Sequence, residues 1–134
     1  MHDTRSLIEN YYEAFNRGEW EAVVGLLDDS VVHRFNRGSR ERGLEAFRAL
    51  LVQMDRCYAE QLRNVVSTSC SHGARAAVEY AVHRCYKVAE EGLPPAHGQN
   101  HAMPFGAFFD SREGRITSMT NDCKLRDWLV EVGA

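Results

Sequence analysis

Apolar residues recur at two different spacings along the chain, and the spacing changes near its middle. Up to about residue 56 they stand three or four positions apart, which is typical of helices that bury one face. From Tyr58 onward they alternate with polar residues, which is the period of a half-buried strand. The chain is therefore predicted to begin with helices and to continue with a run of long strands.

Three helices are predicted in the first part of the chain. Asp3 or Thr4 can cap the first helix, and Gly18 is suited to its left-handed end. The second helix is short and places Trp20 on its apolar face, and the third runs from about Leu44 to Arg56. The apolar stripe of the first helix consists of Leu7, Ile8, Tyr11, Tyr12 and Phe15.

One short strand, Val31 to Asn36, is predicted between the second and third helices. Strict alternation places His33 and Phe35 on one of its faces and Asn36 on the other, unless a bulge intervenes. A short closing helix is predicted from Leu125 to Val132. Before it come four long strands that can form an antiparallel meander: Tyr58 to Cys70, Ala74 to Val88, His101 to Asp110 and Arg115 to Cys123.

This order of elements predicts one α+β domain over residues 1–134, with helices on one face of a strongly bent, mostly antiparallel sheet. A sheet that curves around helices leaves a hollow, where ligands normally bind in such folds. His101, Thr120 and Asn121 lie inside predicted strands, where aliphatic residues would pack better. These polar residues indicate that the last strands face a cavity or an interface.

Composition excludes several classes of function. The net charge is −3 and no basic run occurs, so we do not expect a nucleic-acid partner. No apolar stretch approaches the length of a membrane span, and the first residues lack a signal-peptide core, so the expected compartment is the cytoplasm. No two of the four cysteines have C-x-x-C spacing, and His97 and His101 lack a third ligand at suitable spacing. We therefore expect neither a metal nor a cofactor.

Several segments resemble one known superfamily. YYEAFNRGEWEAVVGLLDDSVV resembles the opening of nuclear transport factor 2-like proteins, which include ketosteroid isomerase, the polyketide cyclases and scytalone dehydratase. VVHRFNRGSRERGLEAF, EYAVHRCY, GLPPAHGQNHAMPFGAFFDSREGRI and TNDCKLRDWL resemble a narrower branch, the ketosteroid isomerase-related or SnoaL-like polyketide cyclase proteins. The resemblance covers essentially the whole chain. It implies a cone-shaped α+β barrel that forms a homodimer through the outer face of its sheet.

The resemblance also implies positions for catalytic groups. In ketosteroid isomerase an Asp base moves the proton, while a Tyr and a protonated Asp stabilise the enolate oxygen. The tyrosine corresponds to Tyr11, the base to a position near Arg34, and the acid to about Gly106. Neither of the last two positions holds a carboxylate, so steroid isomerisation by the same set of groups is not expected.

The remaining candidates suit a cofactor-free isomerase, cyclase or dehydratase that acts on a small hydrophobic carbonyl compound. His33 is the candidate acid–base group, because a neutral histidine is a base near pH 7 without a special environment. Tyr11, Asn36 and Asn121 would orient the substrate oxygen. Apolar walls would come from Trp20, Met119 and Phe108.

Two other functions remain open at this point. Because the expected carboxylates are absent, the cavity can serve binding of a small hydrophobic molecule without chemistry. Alternatively, the outer sheet face with Glu79, His83 and Arg84 serves assembly only, with Asp122 paired to Arg84 or His83 there. Glu79 and His83 also fit an acid–base pair, although the better pocket face of their strand carries Val78, Tyr80, Val82 and Tyr86.

Overall fold

The computed structural model describes residues 4–35, 40–69 and 74–122. The residues 71–73 between the first two predicted long strands, and the predicted closing helix at 125–132, lie outside these ranges. Within them no helix is long and apolar enough to cross a membrane. The elements are α1 (Thr4–Asn16), α2 (Trp20–Gly25), β1 (Leu27–Phe35), β2 (Arg40–Arg42), α3 (Leu44–Cys57), β3 (Tyr58–Ser69), β4 (Arg75–Tyr86), β5 (Gln99–Arg112) and β6 (Arg115–Asp122).

These elements confirm the predicted α+β order, with one strand added. The addition is β2, a charged and exposed triplet that pairs with β1. No apolar residue marks it, so hydrophobic periodicity gives no signal for it. The bounds of the three helices agree with their apolar stripes, and Gly18 ends α1 with a positive φ of 70° and an N–H bonded to the Phe15 carbonyl.

The six strands form one curved, unclosed sheet in the order β2-β1-β6-β5-β4-β3. The predicted meander of β3 to β6 is antiparallel throughout, whereas β1 lies parallel to β6. A register shift in β3 between Arg63 and Val66, with Asn64 at a φ of 55°, interrupts the ladder and bends the strand. The parallel pairing sets His33 beside Met119 and Phe35 beside Asn121.

The core lies between the helices and the concave face of the sheet. The inner face of β4 is the predicted one, and its apolar residues are fully or nearly fully buried. Asn16 joins α1 to the sheet, because its side-chain amide donates to the Leu62 carbonyl and accepts from the Leu62 N–H. The buried residues of α1 and β4 are Leu7, Ile8, Tyr11, Tyr12, Ala14, Ala76, Val78, Tyr80, Val82, Arg84 and Tyr86.

Arg84 corrects one prediction. It was expected on the outer sheet face, near His83 and Asp122, but it is buried on the inner face. The physical reason is alternation, since position 84 has the same parity as Tyr80 and Val82. A buried charge needs a partner, and the structure supplies one from the neighbouring strand, as described below.

Candidate functional site

A cavity of about 220 Å³ lies between the helices and the concave face of the sheet. A second cavity, of about 260 Å³, shares Phe15, Leu51, Met54, Tyr58 and Glu60 with it, so the two adjoin between the end of α1, α3 and β3. Most of the first cavity is apolar. Its wall includes Tyr12, Phe15, Phe47, Leu51, Val82 and Phe105.

Three uncharged polar side chains meet at one side of this cavity, and we call them the neutral cluster: His33, Tyr80 and Asn121. The Tyr80 hydroxyl donates to Oδ1 of Asn121 at 3.2 Å, and Nδ2 of Asn121 lies 2.8 Å from Nε2 of His33. Because Nδ2 can only donate, Nε2 of His33 accepts and its proton resides on Nδ1. The parallel pairing of β1 with β6 brings His33 and Asn121 together.

Burial determines the charge of His33. The residue is 6% exposed, and its ring packs edge-on against Phe47 with 5.4 Å between ring centroids. Burial lowers the pKa of His33 to about 4, because an imidazolium would lose its hydration there. His33 is therefore neutral near pH 7.

Tyr11 carries a hydroxyl that donates to a weak acceptor. Its Oη lies 3.4 Å from Sδ of Met119, and both side chains are buried. Burial, then Tyr80 and Glu60, raise the pKa of Tyr11 far above its usual range, so the hydroxyl keeps its proton. A thioether accepts hydrogen bonds poorly, so an oxygen placed nearby would replace the sulfur as the acceptor of the Tyr11 hydroxyl.

A buried ion pair between Glu60 and Arg84 also lines the cavity. Nε of Arg84 donates to Oε2 of Glu60 at 2.8 Å, and Nη2 donates to the same oxygen. The two side chains are 6% exposed for Arg84 and 8% for Glu60. The guanidinium carbon lies 4.4 Å from the centroid of the Tyr58 ring and 5.6 Å from that of Phe105.

Glu90 also lines this cavity. The Tyr58 hydroxyl donates to Oε2 of Glu90, and burial, followed by that hydrogen bond, raises the pKa of Tyr58. The hydroxyl of Tyr86 accepts from the N–H of Glu90 and donates to the Pro94 carbonyl. The connection between β4 and β5 is thereby held against the inner face of the sheet.

A family model for the SnoaL-like domain matches residues 8–119. The chain belongs to the SnoaL-like domain family. This assignment confirms the resemblance to nuclear transport factor 2-like proteins and to their SnoaL-like branch. No curated protein matches the sequence.

Solved structures show the same SnoaL-like architecture. A candidate polyketide cyclase from Xanthomonas campestris pv. campestris is 46% identical, with a TM-score of 0.93 and 96% of each chain covered. One from Pseudomonas putida is 40% identical, with a TM-score of 0.96, covering 98% of this chain and 99% of that one. An M. tuberculosis LEH-like epoxide hydrolase, at 17% identity and a TM-score of 0.77, covers 96% of this chain and 84% of its own; it shares the fold alone.

The SnoaL-like fold brings together three of the candidates chosen from sequence. Tyr11, His33 and Asn121 all line the cavity, and Met119 lies buried against Tyr11. Trp20 lines the adjoining cavity instead. Asn36 lies outside the described residues.

Phe108 is placed elsewhere. It is 61% exposed on the outer face of β5, because it alternates with the buried residues Phe105, Ala107 and Phe109. The same alternation turns Arg34 away from the cavity, on the opposite face of β1 from His33. Gly106, the position that corresponds to the acid of ketosteroid isomerase, alternates with buried Phe105 and so lies on the outer face of β5.

Sequence reasoning missed the ion pair. Glu60 and Arg84 stand directly opposite each other in the antiparallel register of β3 and β4. The parity of Arg84 was an available signal, but its partner depends on a register that the sequence does not state. Among the described residues no group of three His, Cys, Asp or Glu side chains is arranged to hold a metal ion.

Proposed function

We propose that this SnoaL-like protein binds a small hydrophobic carbonyl compound in the cavity and catalyses a cofactor-free proton transfer on it, as an isomerase, cyclase or dehydratase. The observation that carries the proposal is the convergence of Tyr11, His33 and Asn121 on one largely aromatic cavity. Few polar groups in an apolar cavity are the usual composition of a small-molecule site. The candidate polyketide cyclases that resemble the chain support the same class of substrate.

Tyr11 is the group that would hold the carbonyl oxygen. A substrate oxygen is a better acceptor than the Met119 sulfur, so the Tyr11 hydroxyl would turn to it without losing a strong bond. Charge develops on that oxygen when a neighbouring carbon loses its proton. The hydroxyl thus stabilises the enolate more than the ketone, which is the condition for catalysis.

His33 is the proposed base. Its pKa of about 4 resembles that of the Asp base in ketosteroid isomerase, about 4.6, so low basicity does not disqualify it. Asn121 must first release Nε2. Nε2 then takes the proton from the carbon next to the carbonyl, and the electron pair moves into the enolate. The proton returns to another carbon in an isomerisation, or to the new alkoxide when the enolate carbon attacks a second carbonyl.

The test needs no knowledge of the natural substrate. Exchange of the acidic C–H protons of a bound aryl methyl ketone for deuterium is followed by NMR in D2O. His33→Ala should slow catalysed exchange by on the order of a hundredfold or more. The matched control is His83→Ala, because His83 is exposed on the outer face of β4. Unchanged exchange in His33→Ala would remove His33 from the mechanism.

One observation favours a binding protein without catalysis as the second candidate. Nε2 of His33 already accepts a hydrogen bond from Asn121, so the proposed base atom is occupied by a protein group before any substrate binds. A ligand that raises Tm and is recovered without deuterium after long incubation would favour this function. Deuterium incorporation by the wild type above the rate in buffer would exclude it.

The outer sheet face supports a proposed homodimer. Three small residues lie together on this face, since Gly106 and Pro104 of β5 alternate with its buried residues and Ala81 of β4 pairs with Pro104. The exposed Phe108 ring projects from this face and would be covered by a second copy. Phe108→Asp should convert the dimer to a monomer in sedimentation velocity. The control Val52→Asp, at an exposed position of α3, should leave the dimer intact.

A further inference from the structure

Glu60 divides its two carboxylate oxygens between different tasks. Two Arg84 donors, Nε and Nη2, go to Oε2. Within residues 4–35, 40–69 and 74–122, no hydrogen bond reaches Oε1. The Glu60 side chain is nevertheless 92% buried, since 8% of it is exposed, and it lines both cavities. One oxygen of a fixed carboxylate is thus left to the cavity.

An oxygen in that position selects a particular kind of ligand group. An ionised carboxylate only accepts hydrogen bonds, so the complementary group must donate one. Arg84 already neutralises the charge of Glu60, so the donor need not be a cation. A carboxylate on the ligand would meet repulsion from Glu60 and from Glu90, which also lines the cavity. A neutral hydroxyl, phenol or enol fits these conditions.

Arg84 acts here as a positioning residue. Its guanidinium lies between the rings of Tyr58 and Phe105 and directs two donors to a single Glu60 oxygen. The stacking fixes the plane of the guanidinium, and the two hydrogen bonds fix the carboxylate. Oε1 is therefore already oriented before a ligand binds, so binding does not have to order this side chain, which favours affinity.

We infer that Glu60, held by Arg84, is a second recognition site of the cavity and binds a neutral hydroxyl or enol group of the ligand. The inference rests on the proposed function and extends it, because the carbonyl is assigned to Tyr11 and the neutral cluster. The ligand is then a largely apolar molecule with a carbonyl and a separate hydrogen-bond donor. Because Glu60 borders both cavities, the donor end lies toward the adjoining cavity.

The experiment measures the affinity of matched probes by isothermal titration calorimetry. One probe is para-hydroxyacetophenone and its partner is para-methylacetophenone, which has nearly the same size and lacks the donor. A longer pair, the acetylnaphthalenes that carry hydroxyl or methyl on the far ring, covers a greater distance between carbonyl and donor. In at least one pair, the hydroxyl probe should bind the wild-type protein about tenfold to a hundredfold more tightly, as expected for a hydrogen bond to a charged group.

Two variants assign this preference to Glu60. Glu60→Gln removes the charge with little change of shape but leaves Arg84 buried without its ion pair, so this variant can fail to fold. Glu60→Leu combined with Arg84→Met removes both charges and keeps apolar volume, which proteins tolerate better. In the double variant the hydroxyl preference should fall to about twofold or less, while methyl-ketone binding persists. The exposed pair Glu21 and Arg48 gives the matched control, Glu21→Leu with Arg48→Met, which should keep the full preference.

The outcomes separate the inference from the proposed function. Equal binding of hydroxyl and methyl probes by the wild type, or a preference that survives in the double variant, overturns the role of Glu60 and leaves ketone binding intact. No binding of any ketone overturns both. Loss of the preference in the double variant but not in the control supports the inference.

Discussion

The neutral cluster and the ion pair occupy the same concave face of the sheet and are built in opposite ways. His33, Tyr80 and Asn121 are joined by hydrogen bonds between uncharged groups, whereas Glu60 and Arg84 are charged and nearly excluded from solvent. When a buried neutral group loses its partner, the protein loses one hydrogen bond. When a buried ion loses its partner, the much larger cost of its desolvation is no longer offset. The comparison shows that the two sides of one cavity should differ in how far they tolerate change.

The largest effect is expected for Arg84→Met. This change leaves the Glu60 carboxylate buried without its cation and should lower the free energy of unfolding by about 3–5 kcal/mol. Urea unfolding at neutral pH measures the loss. The double variant Glu60→Leu with Arg84→Met should return to within about 1 kcal/mol of the wild type, because no unpaired charge remains. If the single and double variants were equally unstable, packing rather than charge would explain the loss.

For the neutral cluster, we expect a characteristic dependence of the free energy of unfolding on pH. The pKa of His33 is about 4 in the folded protein and about 6.5 when unfolded, so between these values only the unfolded chain binds the proton. The contribution of His33 to the free energy of unfolding is therefore fully present above about pH 6.5. It is lost as the pH falls toward 4, by roughly 3 kcal/mol in total. Urea unfolding of His33→Gln across this range should show a smaller decline.

His101 provides the comparison for that pH measurement. Burial, then Arg84, lower the pKa of His101 to about 4 as well, but the residue is only partly buried. His101→Gln should therefore reduce the decline in stability less than His33→Gln does. Equal slopes in the wild type and His33→Gln would contradict a buried, neutral His33.

A smaller effect is expected for Tyr80→Phe. It removes the donor to Oδ1 of Asn121 and should lower the free energy of unfolding by about 1 kcal/mol. For an exposed pair even less is expected, so Arg75→Met, next to Asp110, should stay within about 0.5 kcal/mol of the wild type. A loss of several kcal/mol in Tyr80→Phe would show that the neutral cluster is no more tolerant than the ion pair.

The sequence predicted the elements well because their periods are determined locally. The stripe through Tyr11 marked α1, and the alternation around Tyr80 identified the buried face of β4. The same alternation would have placed Phe108 outside and Arg84 inside. Residue type argued the other way in both cases, since a phenylalanine is expected in a wall and an arginine at a surface. Parity was the more reliable guide.

Relations between distant strands could not be predicted from local patterns. The pairing of Glu60 with Arg84 depends on the register of β3 and β4, and the approach of His33 to Asn121 depends on β1 lying parallel to β6. Neither relation leaves a mark within its own segment. His33 and Asn121 were chosen separately from sequence, and Tyr80 was placed only on the pocket face of its strand. The hydrogen bonds that join the three required the fold.

The contact between Tyr11 and Met119 links the donor role of the Tyr11 hydroxyl to the oxidation state of the sulfur. A sulfoxide oxygen is a strong acceptor, whereas the thioether is a weak one, so oxidised Met119 would retain the phenol proton that is proposed to serve the ligand. Met119 is 1% exposed and thus shielded from solvent in the folded state. Oxidation of Met119 would therefore stop the Tyr11 hydroxyl from donating to a ligand while Tyr11 itself stays chemically unchanged.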